Sequence, residues 1–255
     1  MTEDEFFRDL PDPPPFQFAY MPRGPEWLSN PPPRIKDGQG GVDFRLVRDL
    51  ARVGYKTYYL DPLVYLYKTM PTAIPVFADW IEHIDERIPE PRRTKADKDH
   101  KEGIWICLNK NLIDPAAKGN REAIDAIFGQ FGKPWCPPGV RHWGARALDY
   151  IATKADYDQM VALLHDQPAG VRNPVTHYLG RFRSDRSHDL LVHLLKNDPE
   201  VTQEAIAALA RMKRPDEDLP LLRSYLDDPR TYARETAARA ITKLEKGMKL
   251  SLIHI

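Results

Sequence analysis

Eight histidines and two cysteines are the side chains of this 255-residue sequence best suited to holding a metal or attacking a substrate. Two zinc ligands on one helix face need histidines four apart. His188 and His193 are five apart, so they read as one core-edge and one surface histidine. His142, His165 and His177 fall at different helical phases and do not converge. Cys107 lies on an apolar stripe, where a buried thiol is inert. Cys136 lies among prolines in a loop and is the thiol open to reaction, although proline neighbours alone do not lower its pKa. Neither cysteine has a histidine at a telling spacing. The sequence holds no phosphate-cradling glycine loop and no nucleophile elbow. The residues therefore point to no catalytic group, no metal ligand and no cofactor.

Binding is the chemistry that remains. Arginines recur in equivalent places as Arg141, Arg172 and Arg234, with Thr202 as the exception. One reading sets each at a helix start, paired with an aspartate of the neighbouring turn; such exposed pairs are worth under about 1 kcal/mol each. The other reading makes them a row that grips an acidic partner. Trp135 and Trp143 are close in sequence and able to stack a base, although Trp135 is expected to pack against the next helix. Arg141, Arg172, Arg234, Trp143 and Trp135 are the candidate partner-binding residues. The 37 Lys and Arg balance 37 Asp and Glu, which argues against binding nucleic acid or anionic membrane by bulk charge.

These residues sit on a repeating frame. Four segments begin at Val140, Val171, Val201 and Ala233, at intervals of 31, 30 and 32 residues. Each reads apolar, often basic, two variable, small, two variable, small or aromatic, large apolar, two variable, large apolar. That spacing puts the apolar positions on one stripe of a helix. A poorer copy runs through Ile104, Cys107, Leu108 and Leu112. Second apolar helices are expected at 122–131, 157–164, 189–195 and 219–226, with another at 73–81. Pro75 and Pro220 are placed in first helical turns, where a missing donor costs nothing. Asp198-Pro199 and Asp228-Pro229 end second helices. A period near thirty marks a solenoid, in which one hairpin cannot bury its stripe and neighbours supply the missing wall.

The pattern resembles HEAT repeats of the short bacterial, lyase-type kind, strongly over 140–246 and fairly over 42–139. The resemblance implies an all-α, right-handed α-solenoid of about five to six helical hairpins. It implies a non-catalytic scaffold or adaptor whose concave surface takes a protein or peptide partner. HEAT-like enzymes are the alternative class. Deoxyhypusine hydroxylases, which this fold resembles, bind two irons through His-Glu pairs; here Gln203-Glu204 and Arg234-Glu235 stand instead. Nothing marks a bilin pocket of the lyases. A basic groove like that of repeat-type alkylpurine DNA glycosylases is not evident, with 17 Lys and Arg against 16 Asp and Glu over 140–246. A nucleic-acid binder is the third reading.

Residues 1–41 read as a proline-rich extended arm before a solenoid at 42–247. Nine prolines between Pro11 and Pro33 exclude helix there, while Phe16, Phe18, Tyr20 and Trp27 make the arm too apolar for a free tail. It lies across the folded body or serves as a proline-rich ligand. The charged run 85–103 is expected as a solvated loop or a mixed-charge contact surface, and 133–139 as a stiff linker. Residues 248–255 are expected to be a non-native tail. Leu250 to Ile255 can be written CTG TCT CTT ATA CAC ATC, which resembles a transposase-end adapter used in sequencing libraries. No apolar run nears the roughly 20 residues of a membrane span. The acidic start lacks a secretory signal, so a cytoplasmic monomer with reduced thiols is expected.

Overall fold

The computed structural model describes residues 2–13, 21–32, 43–61, 63–89, 95–165 and 167–253, and not the side chains of 95–99 and 249–253. Phe16, Phe18 and Tyr20 of the arm lie outside the described residues, as do the last two residues of the tail. Among the described residues there are fourteen α-helices and no strand. The chain divides into two compact units, Met1–Thr153 and Lys154–Ile255.

The N-terminal unit opens with α1 (Glu3–Asp9), where the reading expected extended arm. The prolines start only at Pro11, and the sequence ahead of them carries its own start signal. Thr2 accepts from the Glu5 amide while the Glu5 carboxylate accepts from the Thr2 amide, a capping box over an acidic first turn. Then follow α2 (Phe44–Arg52), α3 (Leu63–Leu66), α4 (Ile74–Glu82), α5 (Ile84–Arg87), α6 (Lys95–Asn111), α7 (Arg121–Phe131) and α8 (Pro138–Ile151). Helix α4 packs on α7, and α6 on α8.

The run 85–103 is not a solvated loop, because α5 and α6 take up most of it. No proline falls between Pro91 and Pro115, and opposite charges recur four apart (Asp97 with Lys101, Lys98 with Glu102), a spacing that supports helix. The buried Lys101 ammonium then reaches Asp85 at 2.8 Å, and Lys133 reaches the same carboxylate at 2.7 Å. Two cations hold the Asp85 carboxyl below the usual range against the opposing effect of burial. Trp135 is not packed against the next helix; it is 64% exposed.

The described part of the arm is built into the N-terminal unit. Trp27 is buried, its indole N–H donates to the Phe7 carbonyl at 3.1 Å, and its ring lies 5.7 Å from that of Tyr58. The buried Lys56 ammonium ties Asp12 (2.5 Å) and the Gly24 carbonyl (2.9 Å) together. Gly24 takes a φ of 70°, which glycine adopts without strain, and its amide returns a hydrogen bond to Asp12 at 3.0 Å. Trp27→Ala should cost about 3–5 kcal/mol, the usual range for deleting a buried tryptophan side chain. A melting temperature equal to that of the parent chain would show the arm to be a loose covering.

The C-terminal unit comprises α9 (Tyr157–Ala162), α10 (Ala169–Leu179), α11 (Asp185–Asn197), α12 (Thr202–Met212), α13 (Pro215–Arg223) and α14 (Thr231–Ile253). The repeat stripe forms its core. Val171, Val201 and Ala233 are fully buried, as are Val175, Ala205 and Ala237. Leu179 and Leu209 fill the next level, and Met212 and Leu244 the last. Helix α12 packs against α10, α11 and α14. Small residues are required where helices touch. A Cβ on Gly180 would lie 2.8 Å from both Cα and Cβ of Ala208, and one on Gly144 of α8 would overlap the Gln130 amide. Pro220 is not in a first turn. Pro215 opens α13, with Asp216, Glu217 and Asp218 after it, so Pro220 falls inside the helix. The backbone of 248–253 continues α14.

Candidate interaction surface

The recurrent arginines share a template position but not a partner. Arg172 grips Asp198 with both ends of its guanidinium, at 2.7 and 3.0 Å, and adds Glu200 at 2.8 Å and the Gln167 carbonyl. That bidentate contact holds the Asp198 carboxyl below its ordinary range. Arg141 donates to the carbonyls of Phe131 (3.2 Å), Lys133 (2.8 Å) and Cys136 (3.2 Å), closing the end of α7. Arg234 donates to the carbonyls of Asp228 (2.8 Å) and Pro229 (3.0 Å) and to the Thr231 hydroxyl (3.1 Å). The ion-pair ladder thus exists at Arg172, whereas Arg141 and Arg234 satisfy carbonyls that helix ends and turns leave open.

The Thr202 exception is filled from the next turn. Arg230 pairs bidentately with Asp228, at 2.8 and 2.9 Å, and reaches back to the Thr202 hydroxyl and the Pro199 carbonyl, each at 3.0 Å. Its hydrogen bonds hold the Asp228 carboxyl down at about 2. The sequence reading did not select Arg230, whose role follows from a turn that a repeat template does not cover.

Trp143 gathers cations. It is half-buried on α8, with the Lys110 ammonium of α6 at 5.1 Å from its ring centre and the Arg146 guanidinium at 5.5 Å. The His142 ring meets it edge-on at 5.6 Å. Lys110 is also paired with Asp61 at 2.7 Å. Burial works against the Lys110 charge, yet the Asp61 contact prevails and its pKa lies above the ordinary lysine value. Tyr65 of α3 and Tyr150 of α8 are exposed large aromatics in the same unit. The spacing of Trp143, Arg146 and Tyr150, three and then four, sets them along one side of α8 and was open to view in the sequence. Lys110, Asp61 and Tyr65 arrive from distant segments and carried no such signal.

Other polar groups are committed elsewhere. Cys136 is buried, and burial pushes its thiol up to about 11, which overturns the expectation of a reactive loop cysteine. Cys107 is half-exposed, and burial of its sulfur with the nearby Asp61 charge pushes it up to about 12. His188 is the core-edge histidine, bonded through Nε2 to the fully buried Asp218 at 2.8 Å, and His193 is the exposed one. Among the described residues, no three His, Cys, Asp or Glu side chains are grouped to hold a metal ion, and no helix is long and apolar enough to cross a membrane.

No curated protein matches this sequence. The family of HEAT repeats matches residues 134–210 and, overlapping them, residues 171–242. Those boundaries take in α8, α10 and α12 whole and the first half of α14, with α9, α11 and α13 between them. Residues 134–242 are accordingly HEAT-like repeats, marked out by both sequence and helix packing.

Proposed function

We propose that the chain is a non-catalytic interaction scaffold or adaptor that offers a face of its repeat helices to a protein or peptide partner. The observation that carries this reading is the Trp143 surface of the N-terminal unit. Tryptophan, tyrosine and arginine are the residue types in which binding hot spots are richest. Here Trp143, Tyr150 and Arg146 lie on one side of α8, with exposed Tyr65 from α3. The arginines at the template position are already engaged, Arg172 with carboxylates and Arg141 and Arg234 with carbonyls, so each holds its own repeat in shape. Burial raises the thiol pKa values of Cys107 and Cys136 and keeps both protonated, which suits a chain without thiolate chemistry.

Affinity purification from the native host with the full chain, beside a Trp143→Ala, Tyr150→Ala variant of matching circular dichroism, tests this. One stoichiometric protein retained by the parent chain and lost from the variant is expected. Equal recovery of every protein by both chains would sink the assignment of this face.

A further inference from the structure

The Trp143 surface has more positive charge than it answers. Lys110 and Arg146 both stand over one indole. A single carboxylate, Asp61, meets Lys110 at 2.7 Å and also takes the Cys107 thiol at 3.4 Å. The exposed Arg146 guanidinium has no ion-pair partner among the described residues. Cations held against an aromatic face are pre-positioned, so less freedom is lost when an anion arrives. The Asp61 side chain is 60% exposed. An exposed pair of this kind is weak and exchanges readily. Asp61 has the properties of an internal stand-in: a carboxylate on a loop, seated on one of two available cations.

We propose that this surface binds an acidic segment of a partner protein, one carboxylate taking the place of Asp61 at Lys110 and a second meeting Arg146. The exposed rings of Tyr65 and Tyr150 supply apolar contact with hydroxyl donors beside it. This rests on the interaction-scaffold reading and names the chemistry of the partner. A nucleic acid is the less suitable occupant, since Asp61 stands at the surface and the chain has no net charge.

Three fluorescent probes decide it: a peptide of repeating Asp-Glu-Leu, its neutral counterpart of repeating Asn-Gln-Leu, and an oligothymidylate. The acidic peptide is expected to bind the full chain, and to bind less tightly as salt rises. Arg146→Glu should weaken it by about tenfold or more, since a complementary contact becomes a like-charge one. Asp61→Asn should tighten it roughly fivefold, the equivalent of removing one exposed competing pair. Asp125→Asn removes the same charge from the exposed Arg121 pair on α7 and should leave affinity unchanged. Equal binding of the neutral peptide overturns the acidic partner and leaves the scaffold reading intact. Preference for oligothymidylate overturns both. Binding of none of the probes, or an acidic peptide indifferent to Asp61→Asn and Arg146→Glu, overturns the acidic partner, and the pull-down with Trp143→Ala, Tyr150→Ala then judges the scaffold separately.

Discussion

Leu209→Asp is expected to abolish cooperative folding of the C-terminal unit. Leu209 is fully buried on α12, the helix that packs against α10, α11 and α14. Leucine lost from a core costs about 2–5 kcal/mol by itself. The incoming carboxylate is buried without a partner, which adds several kcal/mol more or forces the helix out of the stack. The sum is of the order of a whole domain stability, about 5–15 kcal/mol. Leu179→Asp on α10 meets the same conditions and should do the same. Hydrogen exchange is the measurement: protection should vanish across α10, α12 and α14. Leu226→Asp, at a leucine 40% exposed, should leave protection intact. Retained protection in Leu209→Asp would mean that the repeat helices do not share a core.

His188→Ala should be the most damaging polar substitution in the same unit. Asp218 on α13 is fully buried, and only its Oδ1 is met, by His188 of α11 at 2.8 Å. Its Oδ2 accepts no hydrogen bond among the described residues. Glu217 at 3.8 Å and Asp189 at 3.9 Å face the other nitrogen of His188, and Arg214 in turn lies 3.6 Å from Glu217. Removing one member of a buried pair typically costs about 3–5 kcal/mol, since the other charge is left without compensation.

The pH dependence follows from the same geometry. Burial pushes the Asp218 carboxyl above its ordinary value, against the opposing pull of His188. The folded chain thus holds that proton more tightly than the unfolded chain. Its stability contribution falls as pH rises from the ordinary carboxylate range through the raised folded value. His188→Ala removes the opposing pull, moves the folded value further up, and should regain part of its lost stability on mild acidification. Asp218→Asn keeps the shape without the charge and should flatten that dependence while costing less. Urea midpoints of the three chains across a pH series test this; a His188→Ala midpoint unmoved at neutral pH would refute the buried pair as a structural contact.

Legibility followed periodicity. The stripe from Val140 to Leu244 is readable because four copies repeat the same spacing, and burial of every stripe position but the half-buried Phe182 makes that spacing a condition of folding. Helices α1 and α6 were harder. A capping box at Thr2 and Glu5 lay beside a conspicuous proline cluster, and the charged run leading into α6 has little apolar period of its own. Pro220 reads as a first-turn proline because the apolar pattern of its helix starts at Leu219, whereas Pro215, the true opening residue, precedes that pattern. At the candidate surface, Trp143, Arg146 and Tyr150 share a helix and were accessible to spacing arguments. Trp135 was expected inside and stands exposed, because nothing in a proline-flanked linker states which way a side chain turns.

From residue order alone came helical class, repeat length and the identity of the seam, since each depends on local spacing multiplied by copies. The folded chain alone could assign partners: Asp198 to Arg172, carbonyls to Arg141 and Arg234, Arg230 to the Thr202 gap, and both Lys110 and Arg146 to one indole. A hydrogen bond or a cation over a ring is a matter of a few ångströms between segments tens of residues apart, and no one-dimensional period encodes that distance.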